Sequence, residues 1–535
     1  MQKNTVLFVV FSTVFLIAWY VFFQPAPQQL QPQNQTQATA QQAVNREQNE
    51  IKNVSPDRQT DNSIIKDDKS EYVQLEEKEI VIEKQNYKVV FSNKGAAVKH
   101  WYLKEKNGSF VDLVLPEAQP VLANFPGSVY EITQQTEDKI IFTYVSKQNW
   151  KITKTFTLSQ EYLHNLDIKI EKLDETAVLP AVDLNWGPGL GTDQKELKEN
   201  TTVTRVLGYT STMPAKLEKI KTENNPAQLY KWVSIDNRYF LTALIPSNSL
   251  NFSNVAMVRQ NKKTAPILVL SANVKQEESV QNFSLQFYIG TKSYVYLKTL
   301  NLGLEKTVDF GFFGFLAKIA LGVLFFLQGI TKNYGWAIII MTIIIQILVL
   351  PLTLKSYKAM AGMKRVQPLI KDLQTKYKND PKRLQVEMMN LYRSQKVNPL
   401  GGCLPMLLQL PIFWALFQTL RNAYELRFAP WIFWVKDLSA CDSLTHIGSI
   451  SLNVLPLIMG LGMFLQQKMT TATSDPAQRK MMYIMPIIFT LMFWGFPSGL
   501  VLYWLTNSIV SMIVQYFVLK QDNKNVSGGK KYARN

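Results

Sequence analysis

The stretch MTIIIQILVLP, Met341 to Pro351, lies inside a long apolar run in the second half of the chain. Nine of its eleven residues suit hydrocarbon, but Gln346 lies in the middle of them. A primary amide inside a bilayer needs hydrogen-bond partners or water, because hydrocarbon offers neither. The stretch therefore predicts a membrane-spanning helix that makes a polar contact at depth.

The apolar residues of the chain are distributed unevenly. Of its 535 residues 47% are hydrophobic, yet the long apolar runs are confined to the first 23 residues and to the part after about Phe310. The segment between them has the composition of a soluble protein. This distribution predicts a multidomain membrane protein with a large water-facing domain.

The amino-terminal run, Thr5 to Phe23, contains 19 residues without a charge. At about 1.5 Å per residue such a helix nearly crosses a hydrocarbon core of ~30 Å. A cleaved signal peptide is the alternative, but the run is long for one and the stretch QPAPQQ after it offers a poor small-x-small site that contains Pro27. We predict a transmembrane anchor over residues 1–23 and, because residues 24–71 are rich in Gln and Pro, a flexible linker on the side of the water-facing domain.

The segment from residue 72 to 305 alternates apolar and polar side chains in stretches such as EIVIEKQNYKVVFSN and KITKTFTLS. Alternation with Val, Ile, Thr and aromatic residues between turn signals predicts half-buried antiparallel strands. A segment of this length predicts a β-sandwich. Its role as a scaffold or interaction module competes with a sugar-binding or catalytic role, although no spacing singles out a pair of carboxylates.

The chain offers little for metal or cofactor chemistry. Cys403 and Cys441 form no CxxC or zinc spacing, the three histidines are scattered, and the glycine cluster GPGLG lacks the Lys-Ser/Thr of a phosphate loop. We predict no metal site, no cofactor and no enzymatic activity.

Downstream of the sandwich the charge pattern orients the chain. Lys355–Lys396 carries eleven bases and three acids, a balance of +8 within a net charge of +17, and the tail after Leu519 is also basic. By the positive-inside rule both segments are cytoplasmic. The apolar candidates around them are residues 310–331, 335–354, 402–423, 450–467, 482–497 and 499–519.

An outer sandwich and a cytoplasmic basic loop require a single crossing between them. We therefore predict that residues 306–333, which contain Lys318, form an amphipathic helix on the outer leaflet, and the alternative that they span stays open. With the anchor this makes six spans, of which five form a helical core over residues 334–519. Both termini are then cytoplasmic, and residues 520–535 form a basic tail.

The basic segment, residues 355–398, predicts a cytoplasmic hairpin of two helices. Asn379-Asp380-Pro381 is the break, with Asp380 as cap and Pro381 at the first position of the second helix. Leu369, Leu373 and Tyr377 predict a seam that pairs with apolar positions of the second helix. The bases are either a solvated face or a docking surface for ribosome, targeting factor or lipid: Lys355, Lys358, Lys364, Arg365, Lys382 and Arg383.

Polar residues recur on one face of several predicted spans. At 100° per residue Thr342, Gln346 and Thr353 fall on one stripe, and the last span offers Tyr503, Asn507 and Ser511 at intervals of four. The span after the hairpin adds Gln409, Gln418 and Asn422. These residues predict either interhelical hydrogen bonds or a shared groove that contains water and no charge.

Four stretches of this region, VNPLGGCLPMLLQLPIFWALF, ELRFAPWIFWVKDLSA, DPAQRKMMYIMPIIFT and FPSGLVLYWLTNSIVSMIVQ, resemble signature stretches of the YidC-type membrane protein insertases. The resemblance covers the whole chain and is specific from about Tyr334 to Leu519. It implies the long Gram-negative arrangement in the bacterial inner membrane: anchor, periplasmic β-sandwich, interfacial helix, basic hairpin and five-helix core.

The resemblance also implies a function. Such proteins insert and fold inner-membrane proteins, alone or with the SecYEG translocon, through a groove open to the cytoplasm and to lipid, without nucleotide. Nascent membrane proteins, the ribosome and membrane lipids are the implied partners. The substrate-contact region of the family corresponds here to Gln409, Pro411, Phe413 and Trp504.

The chain departs from the family where a functional arginine is usual in the first core helix, since Gln346 takes that position. Arginine at a helix centre costs about 2.5–3.5 kcal/mol on the insertion scale, and glutamine avoids that cost. We therefore expect wetting by uncharged groups, with Lys355 or Lys358 supplying attraction at the cytoplasmic mouth. A transporter and a membrane-anchored periplasmic enzyme are the alternatives, but no inverted repeat is visible.

Overall fold

The computed structural model describes residues 76–118, 120–193, 196, 200, 202–213, 215–220, 225–259, 264–398, 404–447, 450–470 and 476–532. The predicted anchor, residues 1–23, and the predicted linker, residues 24–71, lie outside the described residues.

The water-facing part consists of antiparallel strands, as the alternating sequence predicts. The strands are β1 Glu79–Glu83, β2 Tyr87–Ser92, β3 Ala97–Lys104, β4 Phe110–Asp112, β5 Glu131–Gln135, β6 Lys139–Val145, β7 Trp150–Thr157, β8 Leu163–Lys172, β9 Asp183–Trp186, β10 Arg205–Thr210, β11 Leu217–Lys219, β12 Asn225–Pro226, β13 Tyr230–Asp236, β14 Phe240–Pro246, β15 Phe252–Val258, β16 Ile267–Ala272 and β17 Val280–Thr291.

These strands build a nine-stranded sheet in the order β11-β10-β13-β14-β17-β8-β7-β6-β5 and two four-stranded sheets, β1-β2-β3-β4 and β12-β15-β16-β9. Both small sheets cover one face of the large sheet. On β17, Phe283 lies 6.2 Å from Phe252 of β15, and Phe287, four residues on, lies 6.3 Å from Trp101 of β3, measured between ring centroids. Side chains four residues apart on a strand point to the same face, so the predicted sandwich is correct.

The helices occupy the carboxy-terminal half. They are α1 Tyr294–Thr299, α2 Gly314–Thr331, α3 Tyr334–Lys376, α4 Pro381–Ser394, α5 Leu404–Asn422, α6 Val454–Thr470, α7 Pro476–Met492 and α8 Ser498–Tyr532. In the core α3 packs against α2 and α8, α8 against α6, and α6 against α7. Large apolar side chains such as Ile347, Leu348 and Leu491 stay exposed on these helices, as expected of surfaces that contact lipid.

By length and apolar composition, the described residues contain three helices that could cross a membrane: Gly314–Thr331, Tyr334–Lys376 and Ser498–Gln521. A shorter apolar helical stretch covers Tyr483–Gly495. Helix α2 therefore has the length of a span, and its interfacial placement, like the number of six spans, stays a prediction.

The hairpin has the predicted break. Helix α3 ends at Lys376 and α4 begins at Pro381, where the Asp380 side chain accepts a hydrogen bond of 3.0 Å from the Arg383 amide. Its first arm is not a separate helix, because α3 continues from the membrane stretch through Pro351 and Pro368.

The predicted seam of the hairpin is wrong in one respect. Leu369 is 42% exposed, whereas Val366 and Ile370 are buried. Helix α4 buries none of its residues, so it contributes only half-buried side chains to the pairing. Helix α3 therefore buries the face that carries Val366 and Ile370, and not the face that the spacing of Leu369, Leu373 and Tyr377 suggested.

Several predicted span boundaries also need correction. Residues 450–453 form strand β19 (Ile450–Asn453), which pairs with β18 (Ser443–Ile447), so the helix begins only at Val454. Helix α7 starts at Pro476, six residues before the predicted span of residues 482–497, and α8 continues through the predicted basic tail to Tyr532. Strand β19 has Ile, Ser, Leu and Asn, a short sequence that hydropathy cannot distinguish from the start of a helix.

Candidate functional site

The polar side chains of three core helices meet at Asn507. Gln346 of α3 donates through Nε2 to Asn507 Oδ1 on α8, and Gln409 Nε2 of α5 lies 3.4 Å from the same oxygen. Gln409 Nε2 also donates to the Tyr503 hydroxyl, one turn away on α8. One carbonyl oxygen therefore serves two amides from two other helices, and we name Gln346, Gln409, Tyr503 and Asn507 the amide cluster.

The predicted threonines do not join the amide cluster. Thr342 Oγ1 donates to the Ile338 carbonyl at 2.7 Å and Thr353 Oγ1 to the Val349 carbonyl at 3.0 Å, each four residues back on the same helix. Such bonds satisfy a hydroxyl inside a helix without a second chain segment. The helical projection placed these residues on the correct face, but their hydrogen bonds stay local.

Ser511, the last of the three predicted polar residues on α8, has a partner that the sequence did not indicate. Ser511 makes a side-chain hydrogen bond with Tyr357 of α3, and Tyr357 is itself buried. Tyr357 lies in the basic segment, where the lysines around it drew attention to charge. Its distance of eleven positions from Gln346, close to three helical turns, is the signal that would have found it.

Exposure differs along this stripe. Gln346 is 8% exposed and Tyr503 is buried, whereas Asn507, Gln409 and Ser511 are half-buried. The amide of Gln346 thus faces an asparagine rather than hydrocarbon, which is the interhelical hydrogen bond left open by the sequence. Further along the same helix, toward the hairpin, Lys355 and Lys358 are exposed.

The proposed substrate-contact residues adjoin the amide cluster. The ring of Phe413, on α5, lies 5.0 Å from that of Trp504, on α8, and both adjoin Phe493. Pro411 lies inside α5, half-buried, two residues after Gln409. The structure therefore brings Gln409, Phe413 and Trp504 into one layer, polar on one side and aromatic on the other.

Two other predicted polar residues lie elsewhere. Asn422 Nδ2 donates to Gln418 Oε1 at 3.1 Å and to the Asp309 carbonyl at 2.7 Å, at the end of α5 that meets the sandwich. Gln418 and Asn422 therefore belong to the junction with the water-facing domain and not to the amide cluster.

Comparison with known proteins decides the family. The model of the 60Kd inner membrane protein family matches residues 326–525, and that of the YidC periplasmic domain matches residues 114–321. The membrane protein insertase YidC of Endomicrobium trichonymphae is 56% identical over 526 residues, which cover 98% of this chain and 99% of that protein. The chain belongs to the YidC family of membrane protein insertases.

More distant relatives agree in length. The membrane protein insertase YidC of Pelobacter propionicus is 33% identical over 560 residues, which cover 98% of this chain and 100% of that protein. A crystal structure of an active YidC insertase with its first transmembrane domain resolved is 22% identical, covers 83% of this chain and 93% of its own, and superposes with a TM-score of 0.39.

The family assignment confirms several predictions. The sandwich corresponds to a periplasmic domain and the helical part to an inner-membrane protein, and the family is one of insertases rather than enzymes.

The hairpin bases are accessible in this member of the family. Lys355, Lys358, Lys364 and Arg365 on α3 and Lys382 and Arg383 near the start of α4 are all exposed. The Arg383 guanidinium lies 5.5 Å from the Tyr377 ring, so it is partly held against the tip of the hairpin. Their docking role stays a prediction.

A buried charge cluster at the junction of sandwich and core escaped sequence analysis. Arg427, in the loop after α5, contacts Glu105, Asp193 and Glu196 of the sandwich and is buried. Because these acids are remote from Arg427 in the chain, no local pattern pointed to them.

Proposed function

We propose that this protein inserts client membrane proteins into the bacterial inner membrane through a polar groove that opens to the cytoplasm and to lipid. The observation that carries the proposal is the amide cluster: Gln346, Gln409 and Asn507 of three different helices share one oxygen atom without any charged side chain. Uncharged donors and acceptors of this kind can exchange partners with the backbone of a client segment.

The proposed topology follows the charge of the hairpin. Lys355–Lys396, with its balance of +8, lies in the cytoplasm, as do both termini, and the sandwich lies in the periplasm. Six spans result if α2 lies on the outer membrane surface. Exposed apolar side chains on α2, such as Phe315 and Ile319, would then enter the outer leaflet.

The mechanism uses the modest strength of interhelical hydrogen bonds. Such bonds average about 0.6 kcal/mol and reach about 1.7 kcal/mol within membranes, so a client peptide group can displace the bond between Gln346 and Asn507. Half-buried Ser511 pairs with Tyr357, which lies between Gln346 and the hairpin on α3, and this favours entry from the cytoplasm. Lys355 and Lys358 attract acidic client segments at that mouth.

The apolar helix of the client follows the aromatic layer. Phe413 and Trp504 present rings beside the amide cluster, and Pro411 leaves α5 without one backbone donor at this depth. A client helix can thus keep its apolar face against rings and lipid while its polar flank passes Gln409. Hydrophobic partition of the client supplies the driving force.

Crosslinking and solvent access test the groove together. A photo-crosslinker at position 346, 413 or 503 should capture a stalled nascent membrane protein. In a variant without Cys403 and Cys441, a membrane-impermeant maleimide added from the cytoplasmic side should label Ser511→Cys and spare Leu348→Cys, the matched control on the exposed apolar face. Equal protection of both cysteines would contradict a wetted groove.

Substitution of Gln346 separates the groove from plain packing. Gln346→Leu removes the polar group at nearly constant volume and should slow client insertion, and Gln346→Arg restores the group usual in the family and should retain insertion. Full insertion by Gln346→Leu would show that Gln346 only packs the core.

The hairpin is the proposed ribosome contact. Because each phosphate contact releases counterions, Lys382→Gln with Arg383→Gln should weaken ribosome binding and lower the dependence of log K on log salt by about 1 to 2. Lys216→Gln with Lys219→Gln, on the sandwich, is the charge-matched control and should change neither. The SecYEG translocon is a second proposed partner, tested by copurification of the two from membranes.

A further inference from the structure

A cavity of about 400 Å³ lies between the sandwich and the amino-terminal end of α2. The polar residues among its lining come from strand β10, helix α1, the segment before α2 and α2 itself. They are Arg205, Tyr294, Glu305, Lys306, Asp309 and Lys318. The cavity therefore exists only because the two domains meet there.

The cations and acids of this cavity differ in how firmly they are held. Arg205 is fixed by Asp236, at 2.6 Å, and by the Thr307 carbonyl, at 2.9 Å, and its Nη1 lies 3.5 Å from Asp309 Oδ2. Asp309 itself is exposed. Its second oxygen accepts from the Gly311 amide, which keeps the carboxylate at the cavity.

Lys306 and Lys318 are the exposed cations of the site, and Lys306 donates to the Tyr209 hydroxyl. The Lys318 ammonium lies 6.0 Å from the centroid of the Phe310 ring, and among the described residues no carboxylate lies within ion-pair distance of it. Three cations and two acids line one cavity, so the lining can satisfy an anion and a cation of the same ligand.

Apolar rings flank this charged cavity. Phe312 is 91% and Phe315 78% exposed, directly before and at the start of α2, while the opposite face of the helix packs into the core through Ala317 and Leu321. Exposed aromatic rings beside a charged cavity match the boundary between acyl chains and headgroups.

We propose that this cavity binds the headgroup of a phospholipid that carries a primary ammonium group, such as phosphatidylethanolamine. The phosphate contacts Lys318, the ammonium contacts Asp309 and Glu305, and the acyl chains lie along Phe312 and Phe315. Phosphatidylcholine fits less well, because its trimethylammonium group has no N–H donor for the acids. Phosphatidylglycerol also fits less well, because its headgroup carries no cation and leaves Asp309 facing the phosphate. The site rests on the proposed placement of α2 at the outer membrane surface.

Native mass spectrometry of the full chain in detergent tests the site with three probes, dioleoyl phosphatidylethanolamine, phosphatidylcholine and phosphatidylglycerol. The wild type should prefer phosphatidylethanolamine. Lys318→Gln should weaken binding of all three by about tenfold, because a charge-assisted hydrogen bond to the phosphate is lost. Asp309→Asn should remove the preference for phosphatidylethanolamine and leave binding of phosphatidylcholine unchanged.

Lys332→Gln, at the other end of α2, is the matched control and should bind as the wild type. Free O-phosphoethanolamine distinguishes a lipid from a soluble headgroup: Phe315→Ala should weaken binding of the lipid and not of the free headgroup. A preference for phosphatidylglycerol, or equal loss in Lys318→Gln and Lys332→Gln, would overturn the proposal.

A spin label at position 312, in a variant without cysteines, reads the depth of α2 separately. If the label lies in the headgroup region but the mass spectra show no lipid preference, the lipid site alone is overturned. If the label lies at the bilayer centre, the proposed placement of α2 is overturned, and this inference with it.

Discussion

Arg427 Nε donates to Glu105 Oε2 across 2.8 Å, although 322 positions separate the two residues. Arg427 follows α5 in the core, and Glu105 follows β3 in the sandwich. The same guanidinium reaches Asp193 at 2.6 Å and Glu196 at 3.1 Å. One buried cation therefore binds three carboxylates of the periplasmic domain to the membrane core.

Replacement of Arg427 by Met should destabilise the junction strongly. Removal of one partner from a buried ion pair typically costs about 3–5 kcal/mol, because the remaining charges stay buried without compensation. Thermal unfolding in detergent, read by protease release of the sandwich, should show a lower midpoint for Arg427→Met. Arg393→Met, on the exposed face of α4, is the control, and equal midpoints for the two variants would rule out a stabilising role.

The acidity of Glu105 predicts a pH dependence of the same junction. Burial raises the pKa of Glu105 to about 7, aided by Asp193 and Glu196 and opposed by Arg427. A carboxyl whose folded pKa lies above its unfolded value binds its proton more tightly when folded. Its contribution therefore stabilises the fold as pH falls from about 7 toward 4.5 and is lost as pH rises through 7.

The variant Glu105→Gln should flatten this slope, because the amide cannot titrate. The unfolding midpoint of the variant should stay nearly constant from pH 5 to pH 8, whereas that of the wild type should fall as pH rises. Glu161→Gln, an exposed acid of the sandwich, should keep the wild-type slope. An unchanged slope in Glu105→Gln would assign the pH dependence to another group.

A double-mutant cycle tests the central bond of the amide cluster. Gln346→Leu and Asn507→Leu should each destabilise the core, and the double variant should lose less than the sum of the two. We expect a coupling of about 0.6–2 kcal/mol, the range for hydrogen bonds between membrane helices. Thr342→Ala paired with Asn507→Leu should show no coupling, since Thr342 bonds its own helix; coupling of equal size there would refute a specific contact.

Lys154 predicts a second pH effect, inside the sandwich. It is 0% exposed on β7 and donates to the Leu122 carbonyl, and burial holds its pKa well below the ordinary value of 10.5. The unfolded chain therefore binds this proton more tightly than the folded protein does, so stability rises with pH up to about 10.5.

Lys154→Gln keeps a donor for the Leu122 carbonyl but does not titrate. Its stability should lose the rise that the wild type shows as pH increases toward about 10.5. Lys151→Gln on the same strand, where Lys151 is half-buried, serves as control. A rise that persists in Lys154→Gln would exclude Lys154 as its source.

Much of the fold was predictable because its signals are local. Apolar runs locate helices, alternation locates strands, and the Asp380–Pro381 pair ends the hairpin arm, since each depends on neighbours within a few residues. The helical projection also placed Gln346, Tyr503 and Asn507 on inward faces. What it could not supply was the relative position of two helices along their axes, which packing sets.

The sequence by itself determined that a polar amide lies within an apolar helix and that it needs a partner. Only the tertiary structure decided that the partner is Asn507, 161 positions away, while Thr342 and Thr353 bond within their own helix. The same holds for Arg427, whose acids come from distant loops of the sandwich. A residue's need for a hydrogen bond or counter-charge is written in its chemistry, but the group that meets it is chosen by the packing of segments far apart in the chain.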